Sequence, residues 1–271
     1  ITDTCPGFGS VAKYIAIATR EAGLDVASMA QTSTKVFILE TMGRHAGWIA
    51  AASALAKDTE SDPPHVVLLP EVPLDQTAFL ARVKDSVERF GYCVVVVSEG
   101  VRTAAGQFLS DQGTVDAFGH VQLGGVAPTV ANMIKTALGY KYHYAIADYL
   151  QRAGRHIASA TDVEQAYALG KAAVELALAG RNAIMPTIVR DSDSPYRWHV
   201  GETPLESVAN VEAKMPADFI DESGFFVTEA CLRYLRPLIA GEDYPPYRDG
   251  LPDYARIRGH RVARRLPAFG D

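Results

Sequence analysis

The residues best equipped for chemistry lie in three separated stretches of the sequence. Met42-Gly43-Arg44 closes the apolar run that starts at Val36 and precedes a run of small residues. A glycine there lets the backbone approach a ligand, and the arginine offers a planar, permanently charged fork matched to phosphate. Glu99 ends a second apolar run, Tyr92 to Val97. A carboxylate at such a place accepts hydrogen bonds from sugar hydroxyls. Tyr149-x-x-Arg152 sets a phenol and a guanidinium three residues apart, which on a helical turn share a face. Together these groups suit a phosphorylated sugar. Each also has a plain reading: a strand-to-helix turn with a solvated arginine, a surface glutamate at a strand end, and a boundary tyrosine beside an exposed arginine.

Other charged or Gly-rich stretches carry weaker signals. Glu71 ends an apolar run between Pro70 and Pro73, which favours a structural turn. Gly119-His120-Val121-Gln122-Leu123-Gly124-Gly125 lacks both the dinucleotide-binding order of glycines and the Lys-Ser/Thr end of a P-loop. Lys35 opens the run that Arg44 closes, so within one subunit the two lie at opposite ends. It serves a ligand only across a subunit interface, or else is an exposed strand-start lysine. The five arginines between Arg256 and Arg265 read as a solvated or subunit-packing tail.

The elements that position these groups follow from periodicity. Val11, Tyr14, Ile15, Ala18 and Ala22 recur at helical spacing, with Ser10 as the expected N-cap and Gly23 as the expected stop. Val36–Leu39, His65–Leu69 and Tyr92–Val97 are continuous apolar runs, the pattern of strands buried on both faces. Helices are expected over Ala46–Lys57, around Phe79–Val87, and over Pro128–Leu138. Strand alternating with helix in this way argues for a parallel sheet with helices on both sides. The carboxyl rim of such a sheet is where ligands bind, and Met42, Glu71 and Glu99 all end strands. Thr161-x-x-Glu164 reads as a capping box opening a helix to about Ala179. A strand is expected over Ala183–Val189, an irregular stretch over Ser192–Gly224, and a short helix capped by Thr228.

Composition narrows the class. The chain has 271 residues, 48% of them apolar and 21% charged, as in ordinary globular proteins. A net charge of -6 argues against general nucleic-acid binding. The three cysteines, Cys5, Cys93 and Cys231, form neither a metal-ligand spacing nor a disulfide framework, so a reducing cytoplasm fits. No apolar run approaches the length of a membrane span. The first residue is Ile, and the opening Ile1–Gly7 reads as a loop caught in mid-course, as in a chain whose front is missing.

Taken together, the motifs resemble the phosphofructokinase family, closest to its pyrophosphate-dependent branch. The resemblance rests on Thr2-Asp3 with Gly7-Phe8, Met42-Gly43-Arg44-His45-Ala46-Gly47, Val97-Ser98-Glu99-Gly100, Asp116-Ala117-Phe118-Gly119-His120, Tyr149-Leu150-Gln151-Arg152 and Pro237-Leu238-Ile239-Ala240-Gly241. It implies an α/β fold of two parallel-sheet domains around a cleft, the first domain largely missing. Residues 1–9 would be a residual linker, 10–150 the fructose 6-phosphate domain, 151–205 a return segment to the donor domain, and 206–271 a segment packing over both. The implied reaction transfers a phosphoryl group from pyrophosphate to the 1-hydroxyl of fructose 6-phosphate, reversibly and with Mg2+, in glycolysis. Met42, Gly43, Arg44, Glu99, Tyr149 and Arg152 would bind the sugar phosphate, and Lys35 would reach a neighbouring subunit's substrate in a homodimer or tetramer. The family's Gly-Gly-Asp donor loop and catalytic aspartate are expected upstream of Ile1, so these 271 residues alone are expected to turn over no substrate. The alternatives are an ATP-dependent 6-phosphofructokinase and a non-catalytic phosphosugar-binding regulatory subunit. A nicotinamide-dependent enzyme is disfavoured, because no dinucleotide fingerprint follows any strand.

Overall fold

The computed structural model describes residues 5–109, 125–256, 259 and 263–265. In chain order the principal elements are α1 (Phe8–Met29), β1 (Val36–Thr41), α2 (Trp48–Ala52), β2 (Val66–Leu68), α3 (Gln76–Phe90), β3 (Cys93–Ser98), α4 (Val126–Leu138), β4 (Tyr142–Ile146), α5 (Leu150–Ala153), α6 (Ala160–Leu178), β5 (Ile184–Asp193), β6 (Tyr196–Pro204) and α7 (Glu229–Leu235). Strands β1 to β4 form one sheet in the order β2-β3-β1-β4, and every pairing is parallel.

Alternation along the strands divides the core into two layers. Val36 and Ile38 of β1, with Cys93, Val95 and Val97 of β3, face α3 and α4. Leu39 of β1 and Val96 of β3 point the other way, towards α1, α2 and α7. Central strands buried on both faces therefore carry no polar alternation, which is why they appear as unbroken apolar runs. The chain leaves β1 for α2 on one face and leaves β3 for α4 on the other. Since β1 and β3 are neighbours, a crevice opens between their carboxyl ends, the switch point of a doubly wound sheet.

The expected helix over residues 10–23 is longer at both ends. Gly7 is its N-cap, at φ 106°, and the helix runs to Met29. Gly23 does not stop it: a Cβ there would sit 2.3 Å from Pro63 Cγ, so the missing side chain serves close packing. Ser10 is not a cap either, because its hydroxyl donates to Asp162 at 2.6 Å. The capping box at Thr161 shifts two residues, with Ser159 as the N-cap of α6. Thr228 caps α7, as expected.

Two strands lie outside the sequence expectation. The tyrosine-rich segment holds β4, the edge of the sheet, where Tyr144 and Ile146 remain exposed. Within the stretch expected to be irregular, β6 pairs antiparallel with β5 in a hairpin of its own, apart from the main sheet. The Gly-rich segment with His120 and the Thr2-Asp3 and Asp116–His120 motifs lie outside the described residues, except for Gly125, the N-cap of α4. No helix among the described residues is long and apolar enough to cross a membrane.

Candidate sugar-phosphate site

The parallel register sets the site. Thr41 and Ser98 are partners at the ends of β1 and β3, and the Glu99 N–H donates to Thr41 O at 2.9 Å. The Met42-Gly43-Arg44 turn and Glu99 therefore leave the sheet side by side. One Glu99 carboxylate oxygen accepts from the Gly43 N–H at 3.0 Å and the Arg44 N–H at 3.1 Å. Arg44 adopts a left-handed φ of 46°. The opposing backbone allows this turn only because residue 100 is glycine: a Cβ there would lie 1.3 Å from Arg44 O.

The next turn is held in the same fashion. Glu71, at the end of β2, accepts from the Gly47 N–H at 2.9 Å and the Met215 N–H at 3.3 Å. The structural-turn reading of Glu71 is thus correct, and its role is to tie the start of α2 to the 211–215 segment. Trp48 Nε1 donates to Ala213 O at 2.7 Å, fixing that segment a second time. His45 bonds Glu212 and stacks on Phe108 with ring centroids 5.7 Å apart. That bond holds the Glu212 carboxyl below its ordinary range.

Carboxylates cap the other helices around the site. Asp162 accepts from the Gly7 N–H at 2.7 Å and the Ser10 N–H at 3.1 Å, closing the amino end of α1. The buried Glu40 accepts from the Gly125 N–H at 2.9 Å and the Ala127 N–H at 2.8 Å, closing α4. Burial pushes its carboxyl above the ordinary range, against the pull of those backbone donors and with a further push from Glu99. The turn after β1 does not hold its backbone N–H groups open for an anion. Those of Gly43, Arg44 and Gly47 already serve Glu99 and Glu71.

A cleft of about 630 Å³ opens over this rim. Its lining includes Met42, Gly43, Arg44, Glu99 and Arg152, so residues from three distant segments meet there. Tyr149 lies just outside, its ring 4.0 Å beneath the Arg152 guanidinium, so the two share a face of one turn. Lys35 stands at the opposite end of β1, its ammonium bonded to Ala30 O, and does not reach this cleft. Of the other lining residues, Gly7, Phe8 and Gln151 stand in the quoted motifs without an assigned role, while Val11 and Val211–Ala213 were not singled out for the site. The 211–213 segment carries no motif. The Gln151 signal was present, between Tyr149 and Arg152, but a lone amide has no spacing to mark it.

A phosphofructokinase family model matches residues 1–177. The chain belongs to the phosphofructokinase family. It is 65% identical over 269 residues to the pyrophosphate--fructose 6-phosphate 1-phosphotransferase of Halomonas elongata, covering 99% of this chain and 64% of that relative. The corresponding protein of Xanthomonas campestris is 57% identical over 271 residues, covering 99% of this chain and 65% of the relative. Among solved structures, the pyrophosphate-dependent phosphofructokinase of Nitrosospira multiformis superposes with a TM-score of 0.89 at 59% identity, covering 99% of this chain and 64% of that one. The chain thus spans about 64% of the length of such relatives. A yeast phosphofructokinase at 20% identity and TM-score 0.55, covering 76% of this chain and 24% of its own, shares the fold.

Proposed function

We propose that this chain carries the acceptor site of a pyrophosphate-dependent phosphofructokinase, which transfers a phosphoryl group from pyrophosphate to the 1-hydroxyl of fructose 6-phosphate. One observation carries the reading: Met42-Gly43-Arg44, Glu99 and Arg152, far apart in sequence, line a single cleft at the switch point of the sheet. The relatives named for that reaction supply the donor.

In this reading Arg44 and Arg152 present guanidinium forks to the phosphate of the sugar. Tyr149 stacks beneath Arg152 and limits its rotamers, so less entropy is lost when the arginine engages a ligand. Glu99 acts twice, holding the Gly43–Arg44 backbone and offering its carboxylate to sugar hydroxyls. Phosphoryl transfer depends chiefly on positioning and charge stabilisation, and positioning the acceptor is the share assigned to these residues. Magnesium is implied by the family likeness. Among the described residues no group of three or more His, Cys, Asp or Glu gathers as a metal site, so no step here runs through it. Residues 151–205 would pack with the donor domain, and Lys35 would serve a neighbouring subunit of a cytoplasmic homo-oligomer. The test is Arg44→Ala in the intact protein. It should raise KM for fructose 6-phosphate at least about tenfold, the cost of about one charge-assisted hydrogen bond, while KM for pyrophosphate changes little. Equal changes in both constants would remove Arg44 from the acceptor site.

A further inference from the structure

We infer that His45 is a positioning residue of this cleft, holding the Glu212 carboxylate away from the phosphate that Arg44 and Arg152 receive. The inference rests on the acceptor-site reading above. Among the described residues, two acidic side chains line the cleft, Glu99 and Glu212. A loose carboxylate there would repel a phosphate group and compete with it for the arginines. Glu99 is tied by the Gly43 and Arg44 N–H groups. Glu212 is tied by the His45 imidazole. That imidazole is itself braced. It stacks on Phe108 at an interplanar angle of 23°, and the Arg102 guanidinium lies 4.2 Å from the centre of the same ring. Residues 102 and 108 face each other across an antiparallel bridge, so the stack has a fixed base.

Stability does not account for this arrangement. The Glu212 side chain is 52% exposed, and an ion pair so open to water contributes little to folding. The chain around it is already fastened, Ala213 O by Trp48 and the Met215 N–H by Glu71. What His45 adds is the direction of one carboxylate. The size of the cleft sets the consequence. Its volume of about 630 Å³ corresponds to a span on the order of 9 Å, close to one screening length at physiological salt. A carboxylate turned into that space is therefore only partly screened from a phosphate dianion, and weakens its binding about two- to tenfold. Bonded to His45, the same carboxylate is directed onto the imidazole, with the positive charges of Lys214 and Arg102 also acting on it.

The experiment uses the intact protein with His45→Ala, Glu212→Gln and the two combined, in steady-state assays and thermal melts. His45→Ala should raise KM for fructose 6-phosphate about threefold or more at about 0.01 M salt, and by less at about 0.15 M. Glu212→Gln, and the double variant, should stay within about 1.5-fold of wild type, because the second change removes the charge that the first sets loose. Melting temperatures should fall by no more than about 4 °C. An unchanged KM in His45→Ala would overturn the inference. An equal rise in His45→Ala and the double variant would overturn it too, since His45 would then act on the ligand or the wall of the cleft and not through Glu212. Arg44→Ala separates this inference from the reading beneath it. If that variant raises KM for fructose 6-phosphate and His45→Ala does not, only the role of His45 fails. If Arg44→Ala leaves that KM unchanged, the acceptor-site reading fails and takes this inference with it.

Discussion

The most exacting prediction concerns Gly100, a residue outside the lining of the cleft. A methyl group there would sit 1.3 Å from Arg44 O and 2.5 Å from Arg44 C. Both are backbone atoms, so no rotamer change relieves the clash. Real Cβ atoms keep at least 3.0 Å from such neighbours, so the end of β3 and the Arg44 turn must part by roughly 1.7 Å. That movement also pulls the Gly43 and Arg44 N–H groups away from Glu99, which holds them at 3.0 and 3.1 Å. A misplacement of about 1 Å can cost about a hundredfold in rate. Gly100→Ala in the intact protein should therefore lower kcat/KM for fructose 6-phosphate by about a hundredfold or more. Overpacking costs about 1–3 kcal/mol, a fall of about 2–12 °C in melting temperature, so the variant should remain folded. Thr136→Ala is the control: residue 136 is exposed near the end of α4, outside the segment proposed to meet the donor domain. It should keep full activity and gain up to about 0.7 kcal/mol from better helix propensity. Steady-state assays paired with thermal melts read both quantities. Wild-type KM and melting temperature in Gly100→Ala would refute the claim that contact with β3 shapes the Arg44 turn.

Two further predictions test the frame around the site. Asp162→Asn should weaken the bonds from the Gly7 N–H, the Ser10 N–H and the Ser10 hydroxyl. A loss of about 1–2 kcal/mol is expected for a helix cap of this kind, measured by urea unfolding, and a loss below a few tenths would deny the cap its role. His65 is buried, its Nδ1 accepting from the Val94 N–H at 3.0 Å, and burial pushes its pKa down to about 4. Because the folded value lies below the unfolded one near 6.5, the unfolded chain binds the proton first as pH falls. This group's contribution to stability is thus complete above pH 6.5 and declines progressively towards pH 4, by about 3 kcal/mol in all. His65→Gln should flatten that part of the stability–pH curve relative to wild type, and an unchanged slope would contradict the assignment.

How far the sequence revealed the fold depended on burial. β1, β2 and β3 were legible because both their faces are covered, which leaves unbroken apolar runs at Val36–Leu39, Val66–Leu69 and Cys93–Val97. β4 was not, because an edge strand leaves Tyr144 and Ile146 exposed and breaks the pattern. The end of α1 was misplaced because Gly23 reads locally as a stop, whereas its reason is Pro63, forty residues on. The site showed the same division. Met42-Gly43-Arg44, Glu99 and Arg152 carry recognisable residue types at strand and helix ends, and all line the cleft. What the sequence hid was the set of carboxylates that occupy the backbone donors around it. Glu71, Glu40 and Asp162 act over separations of 24, 85 and 155 residues, which no local pattern records.

The proposed role of this cleft is to hold fructose 6-phosphate in a pyrophosphate-dependent reaction. It is tested most directly by following fructose 1,6-bisphosphate formation by the intact protein with pyrophosphate or with ATP at equal concentration. Turnover with pyrophosphate is expected, with little or none from ATP, and fructose 6-phosphate KM should rise when Arg44 becomes alanine. Turnover with ATP alone, or pyrophosphate turnover indifferent to Arg44, would contradict it.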